Sequence, residues 1–343
     1  MKKVLFILLS IFTLAVIVFP GCEGEPASTQ VVELKLAHAW ATTHHVHVIL
    51  DQWVKDVDAA TNGRVKITIY PGGALSTPVQ LYDTVATGVA DLAWFLQGYT
   101  PGKFPLTSVV ELPFMATSSE QASQALWDLY EKTPKMQEEY ANVKVLSMWT
   151  VDTGQLMTAK KIVRNVDDIK GLKLRIGSDT LKPTAEALGA VPILMAINEL
   201  YDSLQKGVVD GTLLGTSAIR TFKLQDVLDG LTMGHFFVNA HALGINKNSW
   251  AKISKGDQNK IMDLAGKRLA KITGVKFDSE GKVGYDDAVA AGVEVVTLPD
   301  AEMAKWRVAV AGLYQKWIAD MNAKGLPGQK VYDDALEALA NYD

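Results

Sequence analysis

From residue 33 the chain alternates, with Glu33 and Lys35 polar and Leu34 and Leu36 apolar, and this two-residue period predicts a strand with one buried face. The period then lengthens. Val46, Ile49, Leu50, Trp53, Val54 and Val57 recur at three- and four-residue spacings, which predicts a helix with a single apolar face, and Asn62-Gly63 supplies a left-handed stop. Residues 65–70 read as a second strand, 79–87 as a second helix ending at Gly88, and 90–95 as a third strand. A β-α-β-α-β opening implies a parallel sheet with helices on its faces.

Strand-like segments at 143–150, 155–159 and 172–176 precede a helix at 180–188, a short strand at 191–194 and a helix at 198–206. Val208-Val209-Asp210-Gly211 reads as a strand running into a loop, and a strand pair covers 232–247. A long helical region spans 257–291, with Gly274 and Gly281 as candidate kinks. Residues 293–298 form the last strand, and the remainder is helical with a break at Gly325-Leu326-Pro327-Gly328. No internal repeat and no linker between independent domains interrupts the pattern. The expectation is an α/β fold of two lobes joined by crossing strands and a long helix. Lobe one takes 32–152 plus 240–280, and lobe two takes 153–239 plus 281–343.

The 343 residues are 48% hydrophobic and 21% charged, enough apolar material for a large core, which excludes a disordered chain. Lys and Arg number 34 against 38 Asp and Glu, a net charge of −4, so no basic footprint exists for gripping nucleic acid. The single cysteine, Cys22, excludes a disulfide framework and a multi-cysteine metal cluster. It ends an export signal. Met1-Lys2-Lys3 is the charged start, 4–19 an apolar block broken by Ser10 and Thr13, and Pro20-Gly21-Cys22 the cut. Residues 1–21 are thus read as a removable signal peptide and 22–31 as a tether, which places the mature protein in the periplasm. Gly21-Cys22 resembles the end of a bacterial lipobox, in which Cys22 becomes lipid-modified; Phe19 and Pro20 depart from it, and ordinary secretion is the alternative. That lipid would be the only tie to a membrane, since no later apolar run is long enough to span one.

Gly-x-Gly-x-x-Gly, Walker, Gly-x-Ser-x-Gly and His-Glu-x-x-His motifs are all missing, so neither an enzyme nor a cofactor is expected. His44, His45 and His47 cluster after the first strand, but no i,i+4 pair and no nearby cysteine or carboxylate completes a metal set. His44 is instead a hydrogen-bonding ligand contact or a helix cap. The richest stretch is Asp168-Ile169-Lys170-Gly171-Leu172-Lys173-Leu174-Arg175-Ile176-Gly177. Alternation puts Leu172, Leu174 and Ile176 on one face and delivers Arg175 to the strand's end, where parallel α/β sheets hold their ligands. Its planar guanidinium matches a carboxylate with two parallel hydrogen bonds; a surface arginine paired with a neighbouring acid is the alternative.

Three motifs, IKGLKLRI at 169–176, LGAVP at 188–192 and ELYDSLQKGVVDG at 199–211, resemble in order and spacing the DctP-type solute-binding proteins of tripartite ATP-independent periplasmic (TRAP) transporters. The resemblance runs over essentially the whole mature length, with further support from 69–75, 87–91 and Leu112-Pro113-Phe114. It implies a periplasmic-binding-protein-like receptor that closes on a small organic acid and hands it to membrane permease subunits. The family's carboxylate-binding arginine falls on Arg175. Two departures matter: the second arginine of sialic-acid-type members falls on Gln155, and their Gln-Glu-Asn-Pro is replaced by Thr212-Leu213-Leu214-Gly215. Both remove polar contacts, which argues against a sugar acid or a dicarboxylate.

Aromatic residues concentrate at strand ends predicted to face the cleft: Trp40, then Trp94 and Phe95 with Gln97 and Tyr99, then Trp149. Flat apolar walls and one arginine suggest a hydrophobic or aromatic monocarboxylate, with a 2-oxo acid among the candidates. His235 and Phe236 fall where the resemblance places a pocket wall. The expected ligand set is Arg175, Gln155, Trp40, His44, Trp94 and Phe95, together with Gln97, Trp149, Leu214, His235 and Phe236. A sensory receptor for a signalling partner and an enzyme on the same fold are the rival classes.

Overall fold

The computed structural model describes residues 31–342, so the signal peptide and Cys22 lie outside the described residues. Eleven strands run in chain order: β1 Val32–Ala37, β2 Val65–Tyr70, β3 Leu92–Leu96, β4 Val143–Thr150, β5 Gly154–Thr158, β6 Lys173–Ile176, β7 Val191–Leu194, β8 Gly211–Gly215, β9 Gly230–Phe237, β10 Ala240–Asn246 and β11 Glu294–Thr297. They form two sheets, ordered β2-β1-β3-β10-β4 and β11-β9-β5-β8-β6-β7. In the first sheet β1 pairs in parallel with β2 and β3, while β10 runs antiparallel to β3 and β4. In the second, β6 lies parallel to β7 and β8, and β5 antiparallel to β8 and β9.

Chain crossings link the lobes. The chain leaves the first sheet at β4 and enters the second at β5, then returns between β9 and β10. The strand pair expected at 232–247 therefore belongs to two different sheets. The third link is the helix Gly266–Ala290, which packs on the helix Ser119–Lys132 of the first lobe and on Ser217–Phe222 of the second.

The first helix, His45–Ala60, buries Val46, Leu50, Trp53 and Val57 and stops where Asn62 and Gly63 take positive φ. In the second lobe a period of two sorts β5: Leu156 joins one apolar cluster with Leu174 and Leu213, while Met157 joins another with Leu204 and Leu231. Trp306 of the helix Asp300–Val310 packs with the first of these. The last two helices, Gly312–Ala323 and Gly328–Ala340, were expected with the second lobe; they place Trp317, Ile318, Met321, Val331 and Ala335 in the first lobe's core.

Two local expectations change. Residues 208–210 are turn, and the strand starts at Gly211, where a Cβ would come within 2.4 Å of the Met157 carbonyl oxygen. Gly274 and Gly281 do not interrupt their helix; the break falls at Gly266, with φ of 49°. The two glycines serve close approach instead. A Cβ at 274 would lie 2.7 Å from the Ser119 carbonyl oxygen, and one at 281 would lie 2.9 Å from an Asp152 carboxylate oxygen.

Candidate functional site

Arg175 is the penultimate residue of β6 and is only 2% exposed. Its Nε donates to the Met195 carbonyl at 3.0 Å. Burial pushes the guanidinium down from its usual value, while a hydrogen bond with Tyr99 and the charge of Glu199 pull it back up. No carboxylate among the described residues lies within ion-pairing distance of it. Gly177 makes room for the fork, since a Cβ there would sit 2.9 Å from Nη1.

Arg175 lines a cavity of about 70 Å³ with Trp40, His44, Trp94, Phe277 and His241. At about 10–15 Å³ per water-sized group, that is room for roughly five to seven groups, the scale of a single ring. Trp40 stacks on Trp94 with ring centroids 3.7 Å apart and planes 16° from parallel. The Trp94 indole N–H donates to His241 Nδ1 at 2.8 Å, which fixes the ring that β3 brings to the cleft. His44 caps the first helix, its Nδ1 accepting from the Val46 N–H at 3.2 Å, and its ring stacks on His45 with centroids 4.2 Å apart.

The crossing contributes Asp152, whose oxygens accept from the Ser217 N–H at 2.9 Å and the Ser217 hydroxyl at 2.5 Å. Burial drives this carboxyl up to about 6 despite those bonds. Glu111, also buried, accepts from Ala240 N–H at 2.8 Å, Asn239 Nδ2 at 3.3 Å and Ser178 Oγ at 3.2 Å, and from Thr180 Oγ1. Burial raises its pKa, and the donors offset part of that rise. Glu111 thereby ties the first lobe to the loop after β6 and to the crossing.

Of the expected residues, the structure brings Arg175, Trp40, His44, Trp94 and Leu214 together around this cavity. The other six lie elsewhere. Phe95 follows Trp94 on a strand and so points to the opposite face, edge-on to Tyr82 in the core. Trp149 is wholly buried in the first lobe's core, its ring 5.9 Å from Trp94. Gln155 is taken up internally: Oε1 accepts from the Gly234 and His235 N–H groups at 2.7 and 3.0 Å, and Nε2 donates to the Thr153 carbonyl at 3.0 Å. His235 is exposed, with φ of 49° and its Nδ1 2.7 Å from the Thr153 hydroxyl. Phe236 packs against Trp306 in the second lobe's core.

Gln97 donates to the Tyr140 hydroxyl at 3.1 Å and lines a second cavity of about 280 Å³. That cavity is larger, but it contains neither Arg175 nor the stacked tryptophans. The smaller cavity is where the buried Arg175 meets the stacked rings, and the carboxyl that lines it, Asp152, is held by Ser217. Tyr99, Asn239, His241 and Phe277 are among the other residues that line it, and none of these four was in the expected set. Only Tyr99 carried a sequence signal, its position beside the strand-end aromatics. The described residues contain no group of three or more His, Cys, Asp or Glu able to hold a metal ion, and no helix long and apolar enough to cross a membrane.

The sequence profile of the bacterial extracellular solute-binding proteins, family 7 (DctP), matches residues 36–320. A TRAP solute-binding protein from a marine metagenome, described as specific for aromatic acid ligands and solved with 3-hydroxybenzoate, superposes with a TM-score of 0.87 at 30% identity, covering 92% of this chain and all of that one. A TRAP solute-binding protein from Rhodoferax ferrireducens T118, solved with copurified benzoate, gives 0.86 at 27% identity over 91% of this chain and 98% of its own. The C4-dicarboxylate-binding periplasmic protein DctP of Rhodobacter capsulatus is 24% identical over 308 residues, 89% of this chain and 92% of that protein.

Proposed function

Because the chain belongs to family 7 of the bacterial extracellular solute-binding proteins, the two-lobed solute receptors of TRAP transporters, we propose that it captures a small aromatic or otherwise hydrophobic monocarboxylate between its lobes in the periplasm and delivers it to a TRAP permease. The observation that carries this reading is Arg175, a buried cation with a backbone carbonyl and a tyrosine beside it and no carboxylate partner among the described residues. A buried ion without a counter-charge costs several kcal/mol. A ligand carboxylate supplies that charge in the bidentate geometry a guanidinium favours.

The rings set the rest of the class. Burying a flat apolar body against Trp40 and Trp94 contributes about 25 cal/mol per Å², and the cavity's size suits one ring better than a polyhydroxylated chain. The relatives solved with 3-hydroxybenzoate and benzoate support this choice. Closure follows from the division of contacts. A ligand held by Arg175 on the second lobe and by rings on the first touches both, so it shifts the balance toward the closed form.

Isothermal titration of benzoate tests the assignment. Arg175→Ala should lose at least about 2 kcal/mol of binding, roughly 30-fold in Kd. Arg175→Lys should recover only part of it, because an ammonium lacks the two-pronged fork. Unchanged affinity in Arg175→Ala would remove the site.

A further inference from the structure

Resting on that reading, we infer that the ligand carries, besides its carboxylate, a second polar group that accepts hydrogen bonds, and that His44 and His241 recognise it. Both rings line the cavity on the first-lobe side. In each, Nδ1 accepts an N–H from the protein, Val46 for His44 and the Trp94 indole for His241. A nitrogen that accepts carries no proton, so each imidazole is the neutral tautomer with its hydrogen on Nε2. Burial works in the same direction, holding His241 down at about 3 and His44 well below its usual value. Among the described residues no protein acceptor engages either Nε2.

What this wall offers a ligand is therefore N–H. The Trp94 nitrogen is already taken by His241, and Phe277 has no polar atom. Acceptors at the cavity lie off the wall and are mostly engaged. Both Asp152 oxygens are held by Ser217, and the Tyr99 oxygen accepts from the Ile197 N–H at 3.3 Å. Asn239 gives its side-chain N–H to Glu111, so its Oδ1 is an open acceptor, placed at the chain crossing. A carbonyl, ether or nitro oxygen on the ring would satisfy the imidazole donors. An alkyl substituent would leave them desolvated and unpaired, and an amino substituent would set N–H against N–H.

The test is isothermal titration of the mature protein with 3- and 4-formylbenzoate, 3- and 4-methylbenzoate and 3- and 4-aminobenzoate. At the ring position that reaches the imidazoles, the formyl acid should bind at least about fivefold tighter than the methyl acid, with the amino acid weakest. The His44→Asn, His241→Asn double variant retains an acceptor near each Nδ1 and withdraws both distal N–H groups. It should reduce the formyl advantage over the methyl acid to under about twofold, whatever loss of affinity the two acids share. Should the double variant fail to fold, His44→Asn alone, with asparagine a favoured helix cap, should lose part of the advantage. Equal affinity for formyl and methyl acids at both positions, tighter binding of an amino acid analogue, or an advantage that survives the substitutions would overturn the inference. If benzoate binds without such a preference, this inference fails alone; if no benzoate binds, the carboxylate-receptor reading fails with it.

Discussion

The two faces of the cleft are built on opposite plans. The first lobe presents many rings that support one another: Trp40 on Trp94, Trp94 held by His241, His44 on His45, and Phe277 edge-on to His45 with centroids 4.5 Å apart. The second lobe presents one guanidinium, held by Met195 and Tyr99 and given room by Gly177. Apolar burial is additive in area and tolerant of direction, so the ring face spreads its contribution over several residues. A bidentate ion contact depends on the position of two nitrogens. Affinity should thus be distributed over the first face, and selection for charge concentrated at the second.

Removing a ring tests the first half of that contrast most severely. Trp40→Ala should destabilise the fold by about 3 kcal/mol, read from the urea midpoint, because the cavity it leaves is only partly filled by relaxation. Benzoate should bind less tightly, yet the ratio of its affinity to that of an uncharged analogue should hold.

The next effect is a pH dependence behind the same face. Burial lowers His45 from 6.5 to about 4 in the folded protein. Its contribution is therefore complete above pH 6.5 and is lost as pH falls toward 4, since the unfolded chain takes up the proton first. Raised carboxyls such as Asp152, at about 6, and Glu139, at about 7, act in the opposite direction. The difference between wild type and His45→Phe isolates the imidazole. Relative to wild type, the variant should gain about 2 kcal/mol between pH 7.5 and pH 5, measured by urea unfolding at both pH values. A difference independent of pH would mean that this ring is not buried neutral.

On the second face a smaller change should act only on binding. Gly177→Ala sets a methyl group 2.9 Å from Arg175 Nη1 and 3.1 Å from Nη2. The displaced fork should weaken benzoate about tenfold, with the urea midpoint close to wild type.

How much of this was legible in the sequence follows the same division. Arg175 was legible because a strand's period and its end are local properties, and the residues that deliver it are contiguous. Trp94 and Phe95 were both expected in the cleft, although neighbours on a strand point to opposite faces; the alternation separates them without any coordinates. Gln155 and Arg175 look alike from the chain, buried polar groups on adjoining parts of one sheet. Only the hydrogen bonds show that the glutamine is satisfied by Thr153, Gly234 and His235 while the arginine has a single backbone acceptor. His241 and Phe277 were out of reach because β10 meets β3, and the long helix meets His44 and His45, through contacts far apart in the chain. The helix glycines misled for a related reason: a kink is a local reading, whereas Gly274 and Gly281 answer to Ser119 and Asp152, far away in the chain.

The most direct test of the central claim compares benzoate with benzamide on the unmodified protein by isothermal titration. The two share a ring and a planar head group and differ in charge. The account predicts that benzamide binds at least about 30-fold more weakly. Equal affinity for the two would contradict it, since the rings alone would then be selecting the ligand.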